Sequence, residues 1–407
     1  MDTPVTSVGN CSISTRETQP EVEAHLLALS LEELQTTSPE WSTLSSLPRW
    51  REPFFQPEWF SAFALTFAKG LQLYLLSAHW QGALVAAAPL LRANTHFGRI
   101  PARTYRSLSG LHSCRYDLLH APAYSTQVGH ALWSTIQRDP WWEVIEALDV
   151  PEGGGFTTLL PHAQREGFLI GVWPTRKSPY LPIPAVGHDP FSYCPVGFRG
   201  WRSKLARKLQ RLRHTGEISF DCSYSAQPGL DEFLALEAAG WKGQRGSAIV
   251  LDKTTTEFYT RIVDSFARRG ALRFCSLRVD AKPIAMHLGL LMNGTYFVPK
   301  SAYDETFARF SPGHLLVHHV LHELPSMGAR TYDFLGPAAQ WKSMWTSHTR
   351  AHHNYYIFRP SVRGRLLHFA ITQAAPRLRD LRYRVWGDPQ AVPSTHDMRH
   401  AGAAKKT

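Results

Sequence analysis

The chain has 407 residues, carries 44 lysines and arginines against 33 acids for a formal charge of +11, and is 43% hydrophobic with 12% aromatic residues. That length exceeds one comfortable core and that apolar content is ample for two, so a soluble two-domain protein is expected. No apolar run approaches the ~20 residues of a membrane-spanning helix, the best being Ala83 to Leu91.

From the N-terminus, residues 1–20 are polar, lack an apolar leader core and read as a disordered tail. The first domain is expected over residues 21–195. Within it, Phe67-Ala68 precedes Leu73, Leu75, Val85 and Ala86, and Phe266-Ala267 precedes Leu272, Phe274, Ile284 and Ala285 at one constant offset. In both places a helix ends before a glycine, Gly70 or Gly270, and feeds a strand. A turn at Gln81-Gly82 or Asp280-Ala281 and a return strand follow, which predicts a duplication. The five cysteines, Cys11, Cys114, Cys194, Cys222 and Cys275, are odd in number, scattered and free of C-x-x-C spacing, so reduced thiols and a cytoplasmic setting are expected.

Residues 196–215 form a basic linker. Arg199, Arg202, Lys204, Arg207, Lys208, Arg211 and Arg213 occur there without an acid, while Trp201, Leu205, Leu209 and Leu212 share one helical face. Two readings stand: a solvated helix whose apolar stripe docks on a domain, or a surface for an anionic partner such as a phosphate-bearing donor or acceptor, tRNA or acidic lipid. The second domain is expected over 216–360. Leu272 to Leu277, Pro283 to Leu291 and Thr295 to Lys300 make a three-strand meander turned at Asp280-Ala281-Lys282 and Asn293-Gly294. Ser311-Pro312-Gly313 then opens a helix whose Leu315, Leu316, Val320 and Leu324 recur at helical spacing up to Pro325. Arg330 to Leu335 is a strand closed by Gly336, giving a parallel crossover with a free helix N-terminus at its mouth, suited to an anion. Residues 361–407 form a basic C-terminal helix and tail, with Arg363, Arg365, Arg377, Arg379, Arg382 and Arg384 around apolar residues.

Tyr303-Asp304-Glu305, Ser311-Pro312-Gly313, Asp333, Gly336, Lys342 and Trp345, with Leu236 to Gly243, the Lys204 to Arg213 helix and Ser178-Pro179-Tyr180-Leu181, carry a resemblance. The chain resembles the CelD/BcsL-type branch of the GNAT acyltransferase superfamily, related to the Fem-type peptidyltransferases, over roughly residues 50 to 360. The resemblance implies an α/β fold with mixed sheets in two tandem GNAT-like domains, here over 54–190 and 216–358 with the Arg199 helix between. It also implies an acyl-CoA, acetyl-CoA or an acyl-carrier protein as donor, bound by the second domain. The usual GNAT pyrophosphate motif is not intact. Of its glycines only Gly313 fits, and Arg309 stands one place displaced.

Direct transfer needs a proton acceptor, an oxyanion stabiliser and close placement of two reactants. Glu237, in an apolar helix before Gly240-Trp241-Lys242-Gly243, is a candidate base or a structural partner of Lys242. Asp304 and Tyr303, between the last meander strand and the helix, are candidates for catalysis, although Asp304 equally suits a turn cap. Ser311, Gly313, His314 and Arg309 are the expected donor contacts. Lys300, Lys342 and Lys242 would hold a phosphate or carboxylate, Asp333 would orient Lys342, and Trp241 and Trp345 would stack on a sugar or adenine or serve the core. His287 and His314 are alternative bases. His314, His318 and His322 recur every four residues, a spacing that presents a pair on one face where catalytic zinc needs three protein ligands, and no H-E-x-x-H accompanies them, so no metal is expected.

The expected activity is acyl transfer to an amine or hydroxyl of a saccharide or other cell-envelope or exopolysaccharide intermediate, at the inner face of the membrane or free in the cytoplasm. The alternatives are a Fem-type ligase drawing on aminoacyl-tRNA, and a non-catalytic partner of polysaccharide assembly.

Overall fold

The structure is a computed structural model describing residues 21–36, 38–97, 99–110, 112–183 and 200–374. The predicted tail over 1–20, Arg199, and the basic segment from Arg377 to Arg384 lie outside the described residues. Thirteen strands alternate with helices: β1 Glu23–Leu29, β2 Gln72–Trp80, β3 Ala83–Phe97, β4 Ile100–Ser107, β5 Leu119–His120, β6 Val144–Pro151, β7 Leu169–Pro182, β8 Ile218–Ser223, β9 Leu272–Val279, β10 Lys282–Met292, β11 Thr295–Tyr303, β12 Thr331–Asp333 and β13 Thr349–Phe358.

Twelve of them run side by side in the order β1-β2-β3-β4-β6-β13-β7-β12-β11-β10-β9-β8. Only two neighbouring pairs on this path are parallel, β4 with β6 and β11 with β12. The pattern of parallel and antiparallel neighbours therefore reads the same from either end, with β13 against β7 at the centre. Each half is a meander, a helical crossover and a parallel strand, so the fold is mixed α/β in two tandem units. The expected repeat is visible in the backbone. Gln81 and Gly82 have φ of 49° and 80°, Asp280 and Ala281 have 49° and 65°, and both pairs close hairpins of the same hand.

The two halves are not separate sheets, as the sequence suggested. β7 pairs with β13 from Leu169 to Pro179, then with β12 from Tyr180 to Pro182. β13, from the end of the chain, inserts between β6 and β7. Ser178 to Leu181 is the stretch where one strand passes from the first half of the sheet to the second.

One apolar core spans both units. The Pro57–Thr66 helix lies against the Lys253–Arg268 helix, with Trp59 and Phe258 edge to face at 5.5 Å and Phe67 and Phe258 at 5.3 Å. A second core, on the other face of the second unit, holds the Pro312–Glu323 helix. There the basic helix, observed over Trp201–Arg213, buries Leu205 and Leu212 and leaves most of its cations outward, as its amphipathic pattern predicted. Cys222 and Cys275 face one another across β8 and β9 and are joined as a disulfide, so these two are not the free thiols expected. Among the described residues no helix is long and apolar enough to cross a membrane.

Candidate active site

β11 and β12 are in register over only three residues, Thr295 to Phe297 against Thr331 to Asp333. β12 then ends while β11 continues to Tyr303, so the strands part. A bulge falls at the same place. Leu290 pairs with Phe297 but Leu288 with Lys300, so Val298 and Pro299 together oppose Gly289. Bulges re-aim side chains, and this one turns Lys300 toward the core shared by the two units. β4, the counterpart in the first unit, pairs with β3 without a break.

On one face of the gap the Pro312–Glu323 helix begins. Ser311 precedes it in the left-handed conformation, φ 57° and ψ 54°, and its side chain does not cap the helix as the sequence suggested. Its hydroxyl instead lies 2.5 Å from Lys208 Nζ of the basic helix. The first-turn amides thus have no side-chain cap, the dipole end is reinforced by a lysine, and a Cβ on Gly313 would meet nothing within 4 Å. These features make the helix start a candidate anion cradle. His314 faces Trp201 at 4.9 Å and accepts a hydrogen bond at Nδ1 from Trp345 Nε1 at 3.1 Å. Burial, with Lys208 nearby, holds its imidazole at a pKa of about 4, so it is neutral at pH 7. Trp345 is wholly buried and is a core residue that orients His314, which removes it as a stacking surface. Trp341, unmarked in the sequence reading, is the half-exposed ring beside His314. Arg309 lays its guanidinium over Phe310 at 4.6 Å, on the exposed turn before the cradle.

Lys342 is buried and donates to the carbonyls of Leu335 at 2.5 Å and Pro337 at 3.1 Å, clamping the loop after β12. Burial pulls its pKa down to about 8. Asp333 does not bond to it. Asp333 is fully buried at the parting of the strands, where it accepts from Arg115 and, at 3.2 Å, from Arg350. Arg115 also binds Glu52, so one guanidinium of the first unit ties down the key strand end of the second. Sequence reasoning missed it, because an arginine in a loop carries no local mark of a partner more than two hundred residues away.

On the opposite face lie Glu237, Lys242 and Lys300. Glu237 is buried. Oε1 is 2.6 Å from Lys242 Nζ, and Oε2 accepts from the Ile249 amide at 2.9 Å. The structural partnership considered from the sequence is therefore real, and it sits within the electrostatic reach of Lys300. Asp304 is elsewhere in role. It caps the Glu305–Phe310 turn through Thr306 N at 2.9 Å and Thr306 Oγ1 at 2.6 Å, with Lys282 at 3.8 Å, so it is not a free base. Tyr303 ends β11 partly exposed, and burial followed by the charge of Glu305 raises its pKa, keeping the phenol protonated. Trp241 opens the short Trp241–Gln244 helix after Glu237. His287, in β10, is buried, and desolvation holds its pKa at about 3.

Residues 199–343 match the family model described as Acetyltransferase (GNAT) domain. The match covers most of the second unit and about a third of the chain. A GNAT domain of this kind is a transferase scaffold, and the cradle described above lies within the matched residues. Among solved structures, FemX superposes with a TM-score of 0.54 at 13% identity, covering 82% of this chain and 96% of that one. A tandem GNAT protein from the clavulanic acid biosynthesis pathway gives 0.43 at 14%, covering 83% and 100%, and a GCN5-related N-acetyltransferase from Sphaerobacter thermophilus gives 0.32 at 13%, covering 83% and 97%. At these identities the FemX likeness is one of fold, and the other two superpose too loosely to support more. No curated protein matches the chain in sequence.

Proposed function

We propose that the chain is an N- or O-acyltransferase of the CelD/BcsL type. It would move an acetyl or longer acyl group from CoA or an acyl-carrier protein to an amine or hydroxyl of a sugar or cell-envelope intermediate. The observation that carries this reading is the coincidence, in the GNAT-matched unit alone, of a strand bulge, a parting of β11 from β12, and an uncapped helix N-terminus with Lys208 beside it. Donor phosphate suits the cradle by charge and by the open approach over Gly313. The gap between the strands gives the acyl carbonyl a path to the other face, where the acceptor would enter beside Lys300. The acceptor nucleophile attacks the thioester carbon, its proton passes to a base, and the C–S bond breaks to release the thiol. We assign that proton to Glu237, which lies on the acceptor side near Lys300 and would have to exchange its contact with Lys242 for the nucleophile, whereas Asp304 is spent on capping its turn. Holding the two reactants in one gap is the larger part of such catalysis.

A second reading, a Fem-type ligase using aminoacyl-tRNA, draws support from the FemX-like fold and from the cationic helix beside the cradle. Calorimetric titration of the full chain with acetyl-CoA, a long-chain acyl-CoA, an acylated carrier protein and aminoacyl-tRNA separates the two. Saturable binding of a thioester is expected. Binding of aminoacyl-tRNA alone would replace the first reading by the second, and binding of none would sink both. The setting we propose is the cytoplasm, with the basic helix face able to approach an anionic membrane surface.

A further inference from the structure

The junction between the units holds a lysine with no counter-ion. Lys300 Nζ sits 5.4 Å from the centre of the Tyr259 ring, and among the described residues no carboxylate is within ion-pair distance of it and no hydrogen-bond acceptor is paired with it. Every charged neighbour is otherwise committed. Glu237 is held by Lys242 and the Ile249 amide. Asp252, near His112, caps its own helix through Thr255 N at 2.8 Å and Thr255 Oγ1 at 2.5 Å. Lys242 adds a second positive charge. Cys114 does not offset them, since burial pushes its thiol pKa up and keeps it protonated. His112 is neutral, pulled to about 4 by burial and then by Lys300.

The lining comes from both units. His112 and Cys114 belong to the loop after β4, whereas Lys300, Tyr259, Glu237 and Lys242 belong to the second unit, and His112 Nδ1 meets the Tyr259 hydroxyl at 3.2 Å. Lys300 is half-buried, so its ammonium has given up part of its hydration without gaining an ion partner. Burial already depresses the Lys300 pKa. The bulge turns this unpaired charge to the acceptor side of the gap, where an anionic group could reach it.

We infer that the acceptor substrate carries a phosphate or carboxylate that docks on Lys300 at this junction of the two units, on the face of the sheet opposite the donor cradle. The inference rests on the acyl-transfer reading and narrows it to anionic acceptors. Neutral sugars would lack the contact that orients them.

The test uses the full chain saturated with CoA, so that the donor cradle is filled, and titrates inorganic phosphate and malonate separately by calorimetry. One saturable site is expected in the wild type, and the better of the two probes identifies which anion the acceptor presents. Lys300→Met should weaken it about ten- to a hundredfold, the loss of one charge-assisted contact. Lys300→Arg should keep most of it, and Lys204→Ala, on the outer face of the basic helix, should leave it unchanged. No saturable anion site in the wild type, or equal affinity in Lys300→Met with its melting temperature preserved, would overturn the inference. If the wild type fails to bind CoA the donor reading falls separately. The same titrations in Gly313→Asp, whose cradle is closed, then judge Lys300 by the same two outcomes.

Discussion

At the scale of single residues, the structure separates carboxylates that the sequence could only place side by side. Asp304→Asn should cost about 1 kcal/mol through its turn cap and leave turnover near the wild-type value, since its oxygens bond to Thr306. Glu237→Gln should lower turnover about a hundred- to ten-thousandfold, the usual effect of losing a general base. Its stability should fall as well, because Lys242 loses its partner; the activity loss must therefore exceed what the urea midpoint accounts for. The reverse ranking of the two variants would move the base to Asp304. Arg115 is a different case. It is fully buried between Glu52 and Asp333, and Arg115→Met leaves Asp333 with the Arg350 guanidinium and the Leu335 amide. Breaking a buried ion network of this kind is expected to destabilise by about 3–5 kcal/mol. Chemical denaturation reads this directly, and a change under 1 kcal/mol would show that the guanidinium is dispensable to the junction.

At the scale of elements, what could be read from the sequence was what local chemistry dictates. The hairpin turns, the helix opened by Ser311-Pro312-Gly313 and the parallel strand after it are governed by neighbours a few residues apart, and β9 to β12 lie where the spacing put them. The role of Ser311 was not legible. A serine before proline predicts a side-chain cap, but its left-handed backbone turns the hydroxyl to Lys208, and that contact joins residues remote in sequence. Whether Trp345 would stack on a ligand or serve the core stayed open in the sequence for a related reason, since burial depends on what packs over it. The cradle itself yields a sharp test. A Cβ at Gly313 has open space, so Gly313→Asp should leave the melting temperature within a degree or two of wild type, in keeping with about ±0.5 kcal/mol for a surface change. Its carboxylate would stand where donor phosphate binds, and CoA affinity should drop at least tenfold. Unchanged CoA affinity in this variant would place the donor elsewhere.

At the scale of the whole molecule, buried histidines and the shared strands set the stability. His112 and His314 are held at about 4, and His287 and His352 at about 3, against an ordinary value of 6.5, in each case first by burial. Between those values and 6.5 the unfolded chain binds protons that the folded chain refuses, so stability is full above about 6.5 and is lost as pH falls toward 4. Asp117 and Glu146, whose carboxyls are raised by burial, act in the opposite direction but are fewer. The urea midpoint should therefore fall from pH 7 to pH 5, and a midpoint that held or rose would show that these imidazoles stay hydrated.

The strand order makes a further demand that no local signal in the sequence announced. β13 is the last described strand, yet it lies between β6 and β7 and hydrogen-bonds to both, in a place the first unit cannot fill for itself. Without it, β6 presents an unpaired edge with Val144, Ile145, Ala147 and Val150 in its buried faces, and such edges recruit other chains. A truncation ending at residue 347, just before β13, keeps most of the second unit's strands and every strand the first unit contributes. If the two halves were independent domains, the first would survive and a proteolysis-resistant fragment over about residues 21–183 would remain. The shared core around Trp59, Phe67 and Phe258 and the placement of β13 argue otherwise. The truncated chain is expected to aggregate or to lose cooperative melting altogether, and the intact chain to melt in one transition seen alike by circular dichroism and tryptophan fluorescence. A soluble, cooperatively folded truncation would show that β13 is an accessory to the first unit and not part of its sheet.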